Sequence, residues 1–202
     1  MKKNGIIEKI EKTTNNKFLN LFKVHYTKEG GKEFVYEVCS RRSLENLEVL
    51  NPNSAVDAVK ILPYFYKGGQ LYVCLINEFR HALNKYLYSV PAGLVDEGET
   101  PMQSAIREVE EEIGAEVVNI EQICPASPTS AGLTDENLVL FNAEIKLTKQ
   151  AALEEFEDIS LKIVKFEDLQ EFLNQNEFDL TGRLQLELFY VKQLLKQAKQ
   201  TN

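Results

Sequence analysis

The chain has 202 residues, 44% hydrophobic and 27% charged, with a formal net charge of -8 at pH 7. These are globular values that suit one domain, or one with a small appendage, and the acidic balance argues against a nucleic-acid backbone as partner. No apolar run approaches the ~18 residues of a transmembrane helix, and no apolar h-region follows Met1-Lys2-Lys3-Asn4-Gly5, so neither a membrane span nor a secretory signal is expected. Cys39, Cys74 and Cys124 are odd in number and far apart, which reads as structural thiols in a reducing cytoplasm. His25 and His81 have no metal-motif spacing.

In chain order, residues 1 to about 50 form a β-rich region. Phe18 to Tyr26 is strand-like, Glu29-Gly30-Gly31-Lys32 is a hairpin turn signal, and Glu33 to Arg42 is the return strand. A lone hairpin is marginal in water and needs a sheet or a partner to cover it. Asn51-Pro52-Asn53-Ser54 is a linker of turn residues, which sets residues 1–50 apart from a main domain at 51–202.

Ala55 to Phe65 and Gln70 to Phe79 are two strands around Lys67-Gly68-Gly69, a second hairpin. Leu71, Val73 and Leu75 alternate with Tyr72, Cys74 and Ile76, so both faces are apolar and the second strand is central. Asn77-Glu78-Phe79-Arg80 follows, and after a short loop comes Tyr86 to Gly93, ending in a Pro91-Ala92-Gly93 turn.

The stretch Gly93 to Ala115 carries six glutamates. Thr100-Pro101-Met102-Gln103 is a capping box with proline at the first helical position. From there Met102, Ala105, Ile106, Val109 and Ile113 recur at helical spacing as the buried face. At about 100° per residue, Glu108, Glu111 and Glu112 share an arc on the other side. Like charges three and four residues apart destabilise a helix by a few tenths of a kcal/mol per pair, and no lysine lies between Lys85 and Lys146 to relieve them. Converging carboxylates beside one arginine, Arg107, suit a hard cation such as Mg²⁺.

The spacing is Gly93, five residues, Glu99, seven residues, then Arg107-Glu108-Val109-Glu110-Glu111-Glu112-Ile113-Gly114-Ala115. It resembles the complete Nudix box, with Ala115 where a larger aliphatic residue is usual. The resemblance implies an α+β fold, an α/β/α sandwich with a mixed central β-sheet flanked by helices. It also implies hydrolysis of nucleoside diphosphates linked to another moiety, with divalent metal.

Beyond the box, Val117 to Cys124 is a strand, and residues 125–137 form a long polar loop of the kind that often binds ligand. Asn137 to Ile145 returns as a strand. Leu153 to Ile159 is an acidic loop before the strand Ser160 to Phe166. Glu167 to Asn174 and Arg183 to Lys199 are helical, and in the second Leu184, Leu188, Val191 and Leu195 form a stripe read as core packing.

The resemblance narrows to the ADP-ribose pyrophosphatase and nucleotide-sugar branch, since Ala131-Gly132-Leu133-Thr134-Asp135-Glu136 is similar to its Pro-Gly-Leu-Thr-Asp-Glu loop, with Ala131 in place of the proline. It implies an N-terminal β-region that pairs with a second subunit in a homodimer and helps form its site. By position it implies Tyr36 for base stacking, Arg41 and Arg80 for the diphosphate, and Ala131 with Gly132 for the substrate loop. Ala92 (through its carbonyl), Glu108, Glu111 and Glu112 are the implied ligands of Mg²⁺ or Mn²⁺. Glu111 doubles as a candidate base, Arg107 orients the cluster against Glu99, and Glu157 is the candidate loop base ahead of Glu155 and Glu154. Ser89 stands where ADP-ribose enzymes usually carry glutamate. Two other readings stay open: hydrolysis of a dinucleotide or nucleoside triphosphate, and a non-catalytic ADP-ribose sensor, against which the intact glutamate set argues.

Overall fold

Both glycine pairs marked as turns close hairpins, because each residue adopts a positive φ that a side chain disfavours: Gly30 and Gly31 at 97° and 79°, Gly68 and Gly69 at 60° and 78°. The computed structural model describes residues 5–52, 55–148 and 158–200. Glu154, Glu155 and Glu157 lie outside the described residues. The chain divides into two units, Met1–Asp57 with Ser127–Leu138, and Ala58–Ala126 with Val139–Asn202.

The first unit holds an antiparallel sheet of β1 (Ile6–Lys12), β2 (Asn20–Thr27) and β3 (Glu33–Ser40), with β2 in the middle. Strand β2 turns Phe22 and Val24 inward and leaves Leu21 exposed, the alternation of a half-buried strand. Strand β1 adds to the predicted hairpin. Its Ile6-Ile7-Glu8-Lys9-Ile10-Glu11-Lys12 interleaves charge, and a register shift between Ile7 and Lys9 breaks the period of two.

The second unit is built on a seven-stranded mixed sheet. Its strands are β4 (Ala58–Lys67), β5 (Gln70–Arg80), β6 (Lys85–Ser89), β7 (Ala92–Leu94), β8 (Ala115–Pro128), β9 (Asn137–Leu147) and β10 (Ile159–Lys165). The main order is β10-β5-β4-β9-β8, with β6 on β5 and β7 on β4. Helix α1 spans Pro101–Ile113, α2 Leu169–Gln175 and α3 Leu180–Gln200. As its two apolar faces predict, β5 is central, flanked by β10 and β4, with Val73, Cys74, Leu75 and Ile76 fully buried. Burial pushes the Cys74 thiol up to about 12, which makes it an inert packing group. One core cluster joins Leu62, Val73, Leu75 and Val90 of the sheet side to Leu169, Leu173, Leu186 and Phe189 of α2 and α3.

The leucine stripe of α3 points outward, contrary to the sequence reading. Leu184, Leu188, Val191 and Leu195 are 52–60% exposed, while Leu186 and Phe189 are buried together with Gln185 and Gln193. Helical periodicity says which residues share a face, not which face is inward. Gln185 is tolerated inside because its amide donates to the Phe141 carbonyl at 2.7 Å. No helix among the described residues is long and apolar enough to cross a membrane.

Candidate functional site

Helix α1 starts as predicted. The Thr100 hydroxyl accepts from the Gln103 amide at 3.3 Å, and Gln103 Oε1 accepts from the Thr100 amide at 2.8 Å. It ends at Gly114, whose left-handed φ of 70° turns its N–H onto the Glu110 carbonyl at 3.1 Å. Ala105, Val109 and Ile113 are buried, but Met102 is exposed. Two glutamates replace it on the inner side: Glu108 is 7% and Glu112 4% exposed. The acidic arc is therefore not opposite the packed face. Strand β7 makes room for it at Gly93, where a Cβ would lie 1.8 Å from Glu108 Oε1.

Arg107 organises this group. Its Nε donates to Glu99 Oε2 at 3.2 Å, Nη1 to Glu108 Oε1 at 2.7 Å and Glu111 Oε2 at 3.0 Å, and Nη2 to the Leu94 carbonyl at 3.0 Å. Burial works against the guanidinium charge, but Glu108, Glu111 and Glu99 outweigh it and hold Arg107 well above the usual arginine range. The Ser104 hydroxyl, at 2.6 Å, and then Arg107 hold the Glu99 carboxyl below the usual range. The contact expected between Arg107 and Glu99 is thus present in the geometry.

Among the described residues, no three acidic, histidine or cysteine groups form a ready-made cation cage. Arg107 explains this, since it lies between Glu108 and Glu111. The donors still fit a small divalent cation: Glu108 and Glu112 are one helical turn apart and buried, and Gly93 brings the β7 backbone, next to Ala92, against Glu108. Arg80, at the end of β5, pairs with Glu78 at 2.8 Å and is partly exposed.

The remaining predicted residues come together in the first unit. The Tyr36 hydroxyl donates to the Gly132 carbonyl at 2.8 Å, and the Cys39 amide to the Leu133 carbonyl at 2.9 Å. Arg41 Nη2 lies 3.6 Å from Glu136 Oε2. Tyr36, Tyr26, Val38, Leu47, Pro128 and Ala131 line part of a mainly apolar cavity of about 310 Å³, with Glu48 and Asp135 at its polar side.

A family model described as the NUDIX domain matches residues 54–184, more than half of the chain. The chain belongs to the Nudix family. A putative Nudix hydrolase 2 of Caenorhabditis elegans is 37% identical over 46% of this chain, which spans 41% of that relative. An ADP-ribose pyrophosphatase of Saccharomyces cerevisiae is 29% identical over 87% of this chain and 78% of its own. A solved structure described as an ADP compounds hydrolase superposes with a TM-score of 0.73 at 17% identity, covering 97% of this chain and 96% of that one, a likeness of fold. The Saccharomyces cerevisiae relative is of the ADP-ribose pyrophosphatases, whose loop the Ala131–Glu136 segment resembles. Nudix hydrolases generally use divalent metal ions.

One residue of this Nudix protein escaped the sequence reading. Arg42, beside the exposed Arg41, turns inward and is saturated: Nε and Nη2 reach the two Asp57 oxygens at 3.0 and 2.6 Å, Nη1 reaches Glu48 at 2.9 Å, and Nη2 the Ala55 carbonyl at 3.1 Å. Asp57 Oδ2 also accepts from the Asn137 amide at 2.9 Å, so Arg42 anchors the base of the 127–138 segment. The predicted strand to Arg42 ends at Ser40, and Arg41 and Arg42 lie in the bend after it, so the alternation of a strand does not separate the two. Replacing Arg42 with methionine strands Asp57, and the expected loss of stability is about 3–5 kcal/mol. Urea denaturation followed by circular dichroism measures it, and a loss below about 1 kcal/mol contradicts the anchor.

Proposed function

We propose that this Nudix chain hydrolyses the diphosphate of ADP-ribose or a related nucleoside diphosphate sugar, giving a nucleoside monophosphate and a sugar phosphate. The observation that carries the reading is the buried Glu108–Glu112 pair, with Glu108 set against Gly93 and held by Arg107. Glu108, Glu111, Glu112 and the Ala92 carbonyl would hold Mg²⁺, or Mn²⁺. When bound, such an ion neutralises phosphate charge and lowers the pKa of a water molecule.

The protein's own residues do the rest. A water oxygen attacks one phosphorus, the bond from that phosphorus to the bridging oxygen breaks, and the bridging oxygen leaves on the other phosphate. Glu111 is partly exposed and held by Arg107, where it can take the proton of the attacking water. Glu157 is the second candidate for that base. Arg107 offsets the mutual repulsion of Glu99, Glu108 and Glu111 and fixes their rotamers. Arg41 and Arg80 are each within ion-pair distance of a glutamate, positions from which a guanidinium can exchange onto a diphosphate. The cavity beside Tyr36 has the size and apolar lining for a nucleobase. We read residues 1–50 as the dimerisation and substrate-contact region, the chain as a cytoplasmic homodimer, and neither nucleic acid nor a membrane as a partner.

A second reading is the same chemistry on a dinucleotide or nucleoside triphosphate. Its support is Ser89, which replaces the usual glutamate, is buried, and is engaged by Lys60 at 3.1 Å.

Product analysis decides between them. The purified chain with Mg²⁺ is expected to release AMP and ribose 5-phosphate from ADP-ribose, and to stop in excess chelator. Preference for a diadenosine polyphosphate or ATP selects the second reading, and no product from any compound makes the chain a sensor. Tyr36→Ala is expected to raise KM for ADP-ribose about 5- to 150-fold at near-constant kcat, the worth of about 1–3 kcal/mol of stacking. Tyr36→Phe, which loses only the Gly132 contact, is expected to change KM less. Equal KM in wild type and the alanine variant removes the stacking role.

A further inference from the structure

A buried ammonium in the second unit lies outside the glutamate set. Lys60, the third residue of β4, is 8% exposed. Its Nζ donates to Ser89 Oγ at 3.1 Å and to Asp179 Oδ1. Ser89 Oγ passes the chain on to the Val90 carbonyl at 3.0 Å. Asp179 Oδ1 also accepts the Gly182 amide at 3.0 Å, which makes Asp179 the N-cap of α3. Gly182 permits the close approach, since a Cβ there would lie 2.9 Å from Asp179 Oδ2 and 3.2 Å from Ser89 Oγ.

The backbone of the same lysine faces the hydrolytic centre. Lys60 is the register partner of Ala92, Val59 that of Gly93, and the Ile61 amide donates to the Pro91 carbonyl at 2.9 Å. Strand β7 has three residues and pairs with β4. Yet β7 supplies both the Gly93 surface under Glu108 and the Leu94 carbonyl that holds Arg107. So short a ladder leaves the placement of β7 to the turn before it, Ser89-Val90-Pro91. Lys60 grips that turn by its side chain at Ser89, while the next residue, Ile61, holds it by its amide at Pro91.

We propose that Lys60 is a positioning residue: through Ser89 and Asp179 it locks the Ser89–Leu94 segment, and with it the seat of Glu108 and Arg107, to the start of α3. The charge is a costly way to do this. Burial pushes the ammonium below the usual lysine range against the pull of Asp179, and an apolar side chain would meet no such penalty. Asp179 in turn is held below the usual aspartate range, burial notwithstanding, chiefly by Lys60. The activity arm of the test rests on the function proposed above, and the exchange arm does not.

Lys60→Met is compared with Lys60→Met/Asp179→Asn, in which no buried charge is left alone and asparagine still caps α3. Amide hydrogen exchange of Ser89–Leu94, referenced to the β5 core, is expected to speed up about tenfold or more in both variants. The midpoint of thermal unfolding is expected to fall in the single variant and largely recover in the double. With ADP-ribose, kcat is expected to drop about 10- to 100-fold in both at little change in KM, the scale of an ångström-size misplacement. Unchanged exchange in Lys60→Met overturns the proposal, as does return of both exchange and kcat to wild-type values in the double variant. If the wild-type chain hydrolyses none of the nucleotides, the function fails and exchange alone decides on Lys60.

Discussion

Glu112→Gln is expected to lower kcat for ADP-ribose by about 10³-fold or more while the protein stays folded. Glutamine keeps the volume and the planar shape of the side chain, so the packed site around this buried position suffers little. What it removes is the negative charge and one oxygen donor. A neutral amide is a poor ligand for a hard divalent cation that demands carboxylate and phosphate oxygens. The loss should fall on kcat and on the metal concentration needed for half-maximal rate, with KM for ADP-ribose nearly constant. Initial rates over a Mg²⁺ titration, with a circular dichroism melt beside them, test this. A variant within tenfold of wild type at all Mg²⁺ concentrations would falsify the ligand role of Glu112.

Local rules carried much of this protein. The start of helix α1 is written by Thr100 with Gln103 and forms as written, and Gly114 closes its other end. The central place of β5 follows from apolar residues on both faces, which only a strand covered on both sides can satisfy. The glutamate cluster of the candidate site was legible as a group because its residues lie on one helix and the turn before it. What escaped depends on partners far along the chain. Glu108 is inward because β7 offers a glycine beneath it. Arg42 is structural and Arg41 exposed because Asp57 and Glu48 wait on one side only. Lys60 finds Asp179 across 119 positions. The stripe on α3 failed for a related reason. Hydropathy favoured four aliphatic residues, but a glycine approach at Gly182 and a backbone acceptor for Gln185 set the rotation of the helix.

Gly93→Ala adds one methyl group and is expected to cost more activity than any other single carbon in the protein. Gly93 has no positive φ, so its backbone would accept alanine. The obstacle is space. The new Cβ would sit 1.8 Å from Glu108 Oε1, 2.1 Å from Cδ and 2.7 Å from Oε2. Neither partner yields easily. Strand β7 is held by its register with β4, and the Glu108 carboxylate is buried and tied to Arg107 at 2.7 Å. Relief requires Glu108 to leave its rotamer, which also breaks the Arg107 contact that positions Glu111. The expected result is a fall in kcat of about 10²-fold or more, with about 1–3 kcal/mol lost from stability through overpacking. Gly98→Ala is the informative control. Gly98 has a φ of 87° and nothing within 4 Å of its absent Cβ, so alanine there strains the backbone and touches no site residue. It should lower the melting temperature and leave turnover intact. Equal kcat in Gly93→Ala and wild type would mean that Glu108 is free to move, and the shelf formed by β7 would then have no part in catalysis.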